Sequence, residues 1–264
     1  MNRDITDFDM DKIHDKVLRN FHSIQNRILE VGGDPDKIDI VAVTKGRTLA
    51  EIKSLLSLPI AALAGNYAEE MLKTVNTLES LCADLNLPTY QTDLFLRKWH
   101  FIGQIQRRSV SKLYPHISLW QSVDRIEEME KIARYAPESA ILVEINGYDL
   151  AKRVYKNYDS SLSLSKDFGH KVSLSVNNTE RGGISVDEIE YFIEYSITLG
   201  LDIKGFMTIA PLGGADVTRS AFDSLAEVTS RFGMGICSMG MSSDFDLAVK
   251  SGSNMLRIGK ALFA

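Results

Sequence analysis

Several residues of this chain stand where short apolar runs give out, and their types could do chemistry together. The run IVAVT delivers Lys45, the next delivers Asn66 and Tyr67, a third contains His100, a later one ends at Ser238, and the last gives Arg257, Gly259 and Lys260. A strand-end lysine that is partly desolvated loses its proton more readily, and its free amine can attack an aldehyde to form an imine. The alternative is a solvated lysine at a loop edge. Gly259 offers bare backbone to an approaching phosphate, with Lys260 opening a short helix whose N–H groups attract anions, or it is a plain turn glycine. Ser238 is either a donor to a phosphate oxygen or an ordinary strand-end hydroxyl. His100 is either a satisfied strand histidine or a proton carrier. The five histidines show no ligand spacing, which argues against a metal centre.

These side chains meet only if the runs carrying them lie parallel with their ends together. Eight such runs can be counted: Ile40 to Thr44, Ile60 to Ala64, Trp99 to Gly103, Ser118 to Val123, Ala140 to Ile145, Ile203 to Ile209, Met234 to Ser238 and Asn254 to Ile258. Helix-length segments alternate with them, and Thr48-x-x-Glu51 and Ser185-x-x-Glu188 read as capping boxes that open two of these. Before the first run, Ile13, Val17, Phe21, Ile24 and Ile28 recur at helical spacing and predict an amphipathic N-terminal helix, ended by Gly32-Gly33. The alternation predicts an α/β fold, a single (β/α)8 TIM-type barrel whose working groups gather at the C-terminal ends of its strands. An open doubly wound sheet is the alternative, disfavoured because GMGICSMG does not fit the dinucleotide fingerprint. The stretch around 147–181 is too long for a simple loop and reads as an insertion, a helix and hairpin beside the barrel mouth.

With 264 residues, 44% hydrophobic and 25% charged, the chain can bury a large core in one domain. A net charge of −5 gives no general attraction to nucleic acid or anionic membrane, so a bound phosphate must be gripped locally. Arg97, Lys98, Arg107, Arg108 and Lys112 around WHFIG then read as a solvated helix face, and the methionines at 207, 234, 239 and 241 as core filler. Cys82 and Cys237 are far apart in sequence, and no apolar stretch reads as a signal peptide or membrane span, so a cytoplasmic location is expected.

IVAVTK (Ile40 to Lys45), GNYAEE (Gly65 to Glu70), KWHFIGQIQ (Lys98 to Gln106), QSVD (Gln121 to Asp124), IKGFMTIAP (Ile203 to Pro211), SMGMSSDFDLAVKSGS (Ser238 to Ser253) and LRIGKALF (Leu256 to Phe263) occur in this order. In that order the chain resembles the pyridoxal phosphate homeostasis proteins, relatives of the barrel domain of alanine racemase. The resemblance implies that Lys45 forms a Schiff base with pyridoxal 5'-phosphate. It also implies that Ser238 and the backbone around Gly259 grip the phosphate, that Arg257 faces the pyridine nitrogen, and that Asn66 and His100 line the pocket. The sequence departs from the family pattern at Gly65 (usually Glu), Gln104 (usually His) and Lys260 (usually a phosphate-holding Thr), and in the insertion after Asn146.

The resemblance further implies a non-catalytic protein of vitamin B6 and amino-acid homeostasis. An arginine at the pyridine nitrogen disfavours its protonation and weakens carbanion stabilisation, and the second domain that completes the racemase site is expected to be absent after Ala264. The competing expectation is a pyridoxal-phosphate-dependent amino-acid racemase or related enzyme using Tyr67, His100 or a residue of the insertion as second base. A third is an interaction protein that has lost the cofactor. Expected partners are pyridoxal phosphate and the apoenzymes that use it, with neither nucleic acid nor membrane, and the expected state is a monomer.

Overall fold

The computed structural model describes residues 7–85, 88–157 and 182–264. Eight parallel strands close into a barrel: β1 (Asp39–Val43), β2 (Ala62–Gly65), β3 (Trp99–Phe101), β4 (Ile117–Val123), β5 (Ala140–Glu144), β6 (Asp202–Met207), β7 (Ile236–Met241) and β8 (Met255–Ile258). Closure is made by β1 against β8, where Val41 faces Arg257 and Ala42 faces Ile258. The open-sheet alternative is thereby excluded.

Alternation along each strand sorts side chains to two sides of this wall. Val41, Ala62, Ala64, Leu119, Leu142, Met207 and Met255 pack together inside the barrel. Their neighbours Ala42, Leu63, Trp120, Ile141, Val143 and Phe206 face outward into the larger core under the helices. Burying each large member of that layer stabilises the fold by about 1.5–3 kcal/mol.

The N-terminal helix (Asp7–Glu30) forms as its periodicity requires, burying Val17, Phe21, Ile24 and Ile28. Both capping boxes are present. Thr48 Oγ1 accepts from the Glu51 N–H while Glu51 accepts from the Thr48 N–H, and Ser185 with Glu188 repeats the arrangement. Of the expected insertion, residues Gly147–Asn157 form a helix that packs on the helix Ala215–Arg231. The hairpin expected further on lies outside the described residues.

One strand boundary differs from expectation in a way that matters for the site. β7 continues beyond Ser238 to Met241. Its register with β8 shifts between Ser238 and Met241, where Gly240 adopts φ +94°. A β-bulge with glycine in this conformation adds residues without ending the strand, so the hydroxyls that stand beyond it are Ser242 and Ser243.

Candidate functional site

A cavity of about 710 Å³ opens at the C-terminal ends of the strands. Val43, Ile102 and Ile209 supply apolar wall, Arg257 lies at its inner side, and Ser242, Ser243, Gly259 and Lys260 line it from the segments after β7 and β8. Asn66, just past β2, completes it with a buried side-chain oxygen that has no hydrogen-bond partner among the described residues. The close approach of the next loop explains this enclosure: a Cβ on Gly103 would sit 2.0 Å from the Asn66 carbonyl oxygen, so only glycine fits there.

Arg257, Asn66, Gly259 and Lys260 are therefore brought together as the sequence suggested. Ser238 and His100 do not line the cavity, although Ser238 is hydrogen-bonded to Arg257. Ser238 is fully buried in the barrel interior, where it accepts from Arg257 Nη1 and donates to Gln121 Oε1, both at 2.7 Å. It is a strand-interior residue because β7 runs three residues further than its apolar pattern suggested. His100 is 6% exposed, its Nδ1 lies 2.7 Å from Gln121 Nε2, and burial pulls it down to about 4. A ring held neutral and already engaged is a structural histidine rather than a proton carrier.

Lys45 lies two residues beyond Val43, the last residue of β1. Its side chain is exposed, as in the loop-edge alternative; the strand ends before Lys45 and the lysine sits on a turn with Gly46. Its Nζ lies 3.4 Å from the Tyr67 hydroxyl and 4.8 Å from the centre of that ring. The turn itself is held by Glu70, whose Oε1 accepts from the Gly46 N–H at 2.6 Å. The helix at Lys260 is a single turn, Lys260–Phe263, and the Ala261 N–H is already taken by Ser242 Oγ at 2.9 Å. Anion attraction here thus rests on the Lys260 ammonium and the serine hydroxyls rather than on a helix end.

The electrostatics of the inner side are dominated by burial. Arg257 is brought down to about 10 by burial, opposed by the charge of Glu144, and so remains a cation at neutral pH. Glu144, at the end of β5, is raised to about 7 by burial and the nearby Asp124 charge, with Arg257 acting against them. The bare Cα of Gly182 separates the carboxylates: a Cβ there would lie 2.7 Å from Asp124 Oδ2 and 3.5 Å from Glu144 Oε1. Gln121, Glu144, Ser242 and Ser243 escaped the sequence reading. The serine pair was within reach of it in SMGMSS, had the strand been allowed to pass through its glycine. Among the described residues no cluster of His, Cys, Asp and Glu could hold a metal ion, and no helix is long and apolar enough to cross a membrane.

No family model matches the chain. Solved structures share the fold. A protein of unknown function from Bifidobacterium adolescentis superposes with TM-score 0.73 at 24% identity, covering 99% of this chain and 98% of that one. PipY of Synechococcus elongatus, solved with pyridoxal phosphate bound, gives 0.66 at 22%, covering 94% and 100%. Alanine racemase from Clostridium difficile gives 0.59 at 16%, with 94% of this chain spanning 56% of the racemase. The architecture is thus the α/β barrel found in the alanine racemase N-terminal domain.

In sequence the chain is similar to proteins named pyridoxal phosphate homeostasis protein, the resemblance its motifs carry. Proteins of that name match at 25% identity in Deinococcus radiodurans (89% of this chain, 93% of that protein) and 26% in Pseudomonas aeruginosa (94% of each). The Caenorhabditis elegans protein of that name matches at 26% (85% and 84%).

Proposed function

We propose that this protein binds pyridoxal 5'-phosphate without turning over a substrate, holding it as a Schiff base on Lys45, and serves vitamin B6 and amino-acid homeostasis in the cytoplasm. The observation that carries the reading is the cavity itself. Its volume of about 710 Å³ is in the range of small-molecule sites, and its lining offers polar groups to the phosphate and ring ends of the ligand, with Lys45 beyond that lining on the turn after β1. Ser242, Ser243 and Lys260 offer hydroxyls and a cation to a phosphate, while the unpartnered Asn66 oxygen awaits a donor. Arg257 presents a guanidinium that cannot give its proton to a ring nitrogen.

Pyridoxal phosphate supplies an electrophilic aldehyde when bound. Lys45 is the residue that would hold the group, through its Nζ. Tyr67, with its hydroxyl 3.4 Å from Nζ, orients the amine, and Glu70 keeps the turn that carries it in place. Val43, Ile102 and Ile209 are the apolar wall that would shield the ring from water. The link is reversible by exchange with another amine, which suits a carrier that yields its cargo to apoenzymes. We take the chain to act as a monomer and as one domain.

The Tyr67 hydroxyl beside Lys45 also favours a second reading, a racemase or related enzyme with Tyr67 as second base. His100 is withdrawn from that role by its buried, neutral state. Racemisation of any amino acid in a panel at substrate-like rates decides for the enzyme.

The binding test is the absorption spectrum of the protein with pyridoxal phosphate, before and after borohydride, followed by peptide mapping. A visible band lost on reduction with added mass on Lys45, and no such adduct in Lys45→Ala, is the expected result. A protein that stays colourless in the presence of pyridoxal phosphate overturns the proposal.

A further inference from the structure

Arg257 is the first member of a buried hydrogen-bonded chain. Its Nη1 donates to Ser238 Oγ at 2.7 Å and its Nη2 to the Thr208 carbonyl at 2.8 Å. Ser238 Oγ lies 2.7 Å from Gln121 Oε1, and Gln121 Nε2 lies 2.7 Å from His100 Nδ1 and 3.3 Å from Met255 Sδ. Gln121 and Ser238 are fully buried, Arg257 is 3% exposed and His100 6%.

The direction of this chain follows from its first member. A guanidinium has donors only, so Ser238 Oγ accepts from it and must direct its single proton elsewhere. Gln121 Oε1 receives that proton, which fixes which way the amide lies. The amide NH2 then faces His100 Nδ1, which must accept, leaving the ring proton on Nε2. Burial keeps the imidazole neutral and able to accept. Gln121 sits on β4, between His100 on β3 and the Ser238–Arg257 pair on β7 and β8, so one amide ties opposite sides of the barrel wall together. A buried donor or acceptor left without its partner is costly, which makes this arrangement resistant to reorientation.

We infer that Gln121 is a positioning residue for ligand recognition: through Ser238 it fixes the Arg257 guanidinium at the angle at which it meets the ring-nitrogen end of the ligand. This rests on the pyridoxal phosphate reading. Without the amide, Ser238 loses its acceptor, its hydroxyl rotates toward other lone pairs, and Arg257 loses the fixed acceptor that aims it.

Two measurements test this. The first compares binding of pyridoxal phosphate with that of its analogue carrying C–H in place of the ring nitrogen. Gln121→Leu is expected to weaken the former about tenfold, the scale of one hydrogen bond to a charged group, and to leave the analogue unchanged. Ser238→Ala interrupts the chain at its next link, gives the same pattern, and decides the matter if the leucine variant does not fold. Gln121→Glu, whose carboxylate still accepts from Ser238, restores the preference for the nitrogen-containing ring. Equal loss of both ligands overturns the proposal, because a merely structural residue would behave so.

The second measurement needs no ligand. Nitrogen NMR shifts of His100 are expected to place its proton on Nε2 in the wild type and on Nδ1 in Gln121→Glu. A wild-type proton on Nδ1 overturns the chain. Wild-type protein that binds neither compound overturns the pyridoxal phosphate reading and this role with it, while the histidine tautomer still reports whether the chain exists.

Discussion

Glu144 allows a quantitative test of the electrostatics at the barrel mouth. It is 7% exposed, faces the Asp124 charge, and stands at about 7 instead of 4.5. That displacement corresponds to about 3 kcal/mol, at roughly 1.4 kcal/mol per pH unit. As pH rises, the unfolded chain releases this proton near 4.5, whereas the folded chain retains it to about 7. The associated stability is therefore fully present below about pH 4.5 and lost as pH climbs through 7. Glu144→Gln removes the titration altogether. Relative to wild type, the variant is expected to gain up to about 3 kcal/mol on going from pH 5 to pH 8, read from urea unfolding at each pH. Any cost of fitting the amide is the same at both pH values and drops out of the comparison. Glu128, also raised to about 7 by burial, is common to both proteins and drops out likewise. A difference between the two proteins that does not change with pH, or changes in the opposite sense, refutes the reasoning.

Further outcomes follow from backbone features around the same mouth. Gly103→Ala places a methyl 2.0 Å from the Asn66 carbonyl oxygen; it should cost about 2 kcal/mol or more in denaturant unfolding and weaken any ligand that touches Asn66. Thr48→Ala breaks the capping box with Glu51 and should cost about 1 kcal/mol, measured by the same unfolding titration, with ligand affinity unchanged.

Much of the fold was legible in the residues because its elements repeat. Each apolar run, such as Ala140 to Ile145, is short and bounded, and two of the crossovers open on capping boxes. The site was less legible for three physical reasons. The apolar run that begins at Met234 gives out at Ser238, yet Gly240 at φ +94° makes a bulge that the strand passes through, which carries Ser242 and Ser243 rather than Ser238 to the mouth. Gln121 and Glu144 lie within strands, and nothing in their spacing shows that they point into the barrel beside Arg257. Position after an apolar run leaves Lys45 open to a desolvated or a solvated setting, and it is the turn at Gly46 that leaves it exposed.

The pairing of β1 with β8 joins residues more than two hundred positions apart, Val41 to Arg257. Val43 and Asn66 come from the early strands of the chain, and Arg257, Gly259 and Lys260 from its last. A minor part of the cavity lining thus precedes the larger part in synthesis, and contacts of such long range form late in folding. A chain still emerging from the ribosome has no cavity to offer, however complete its first strands. Any compound that fills the cavity acts as a latch on the closing seam, favouring the closed ring over every open form by mass action.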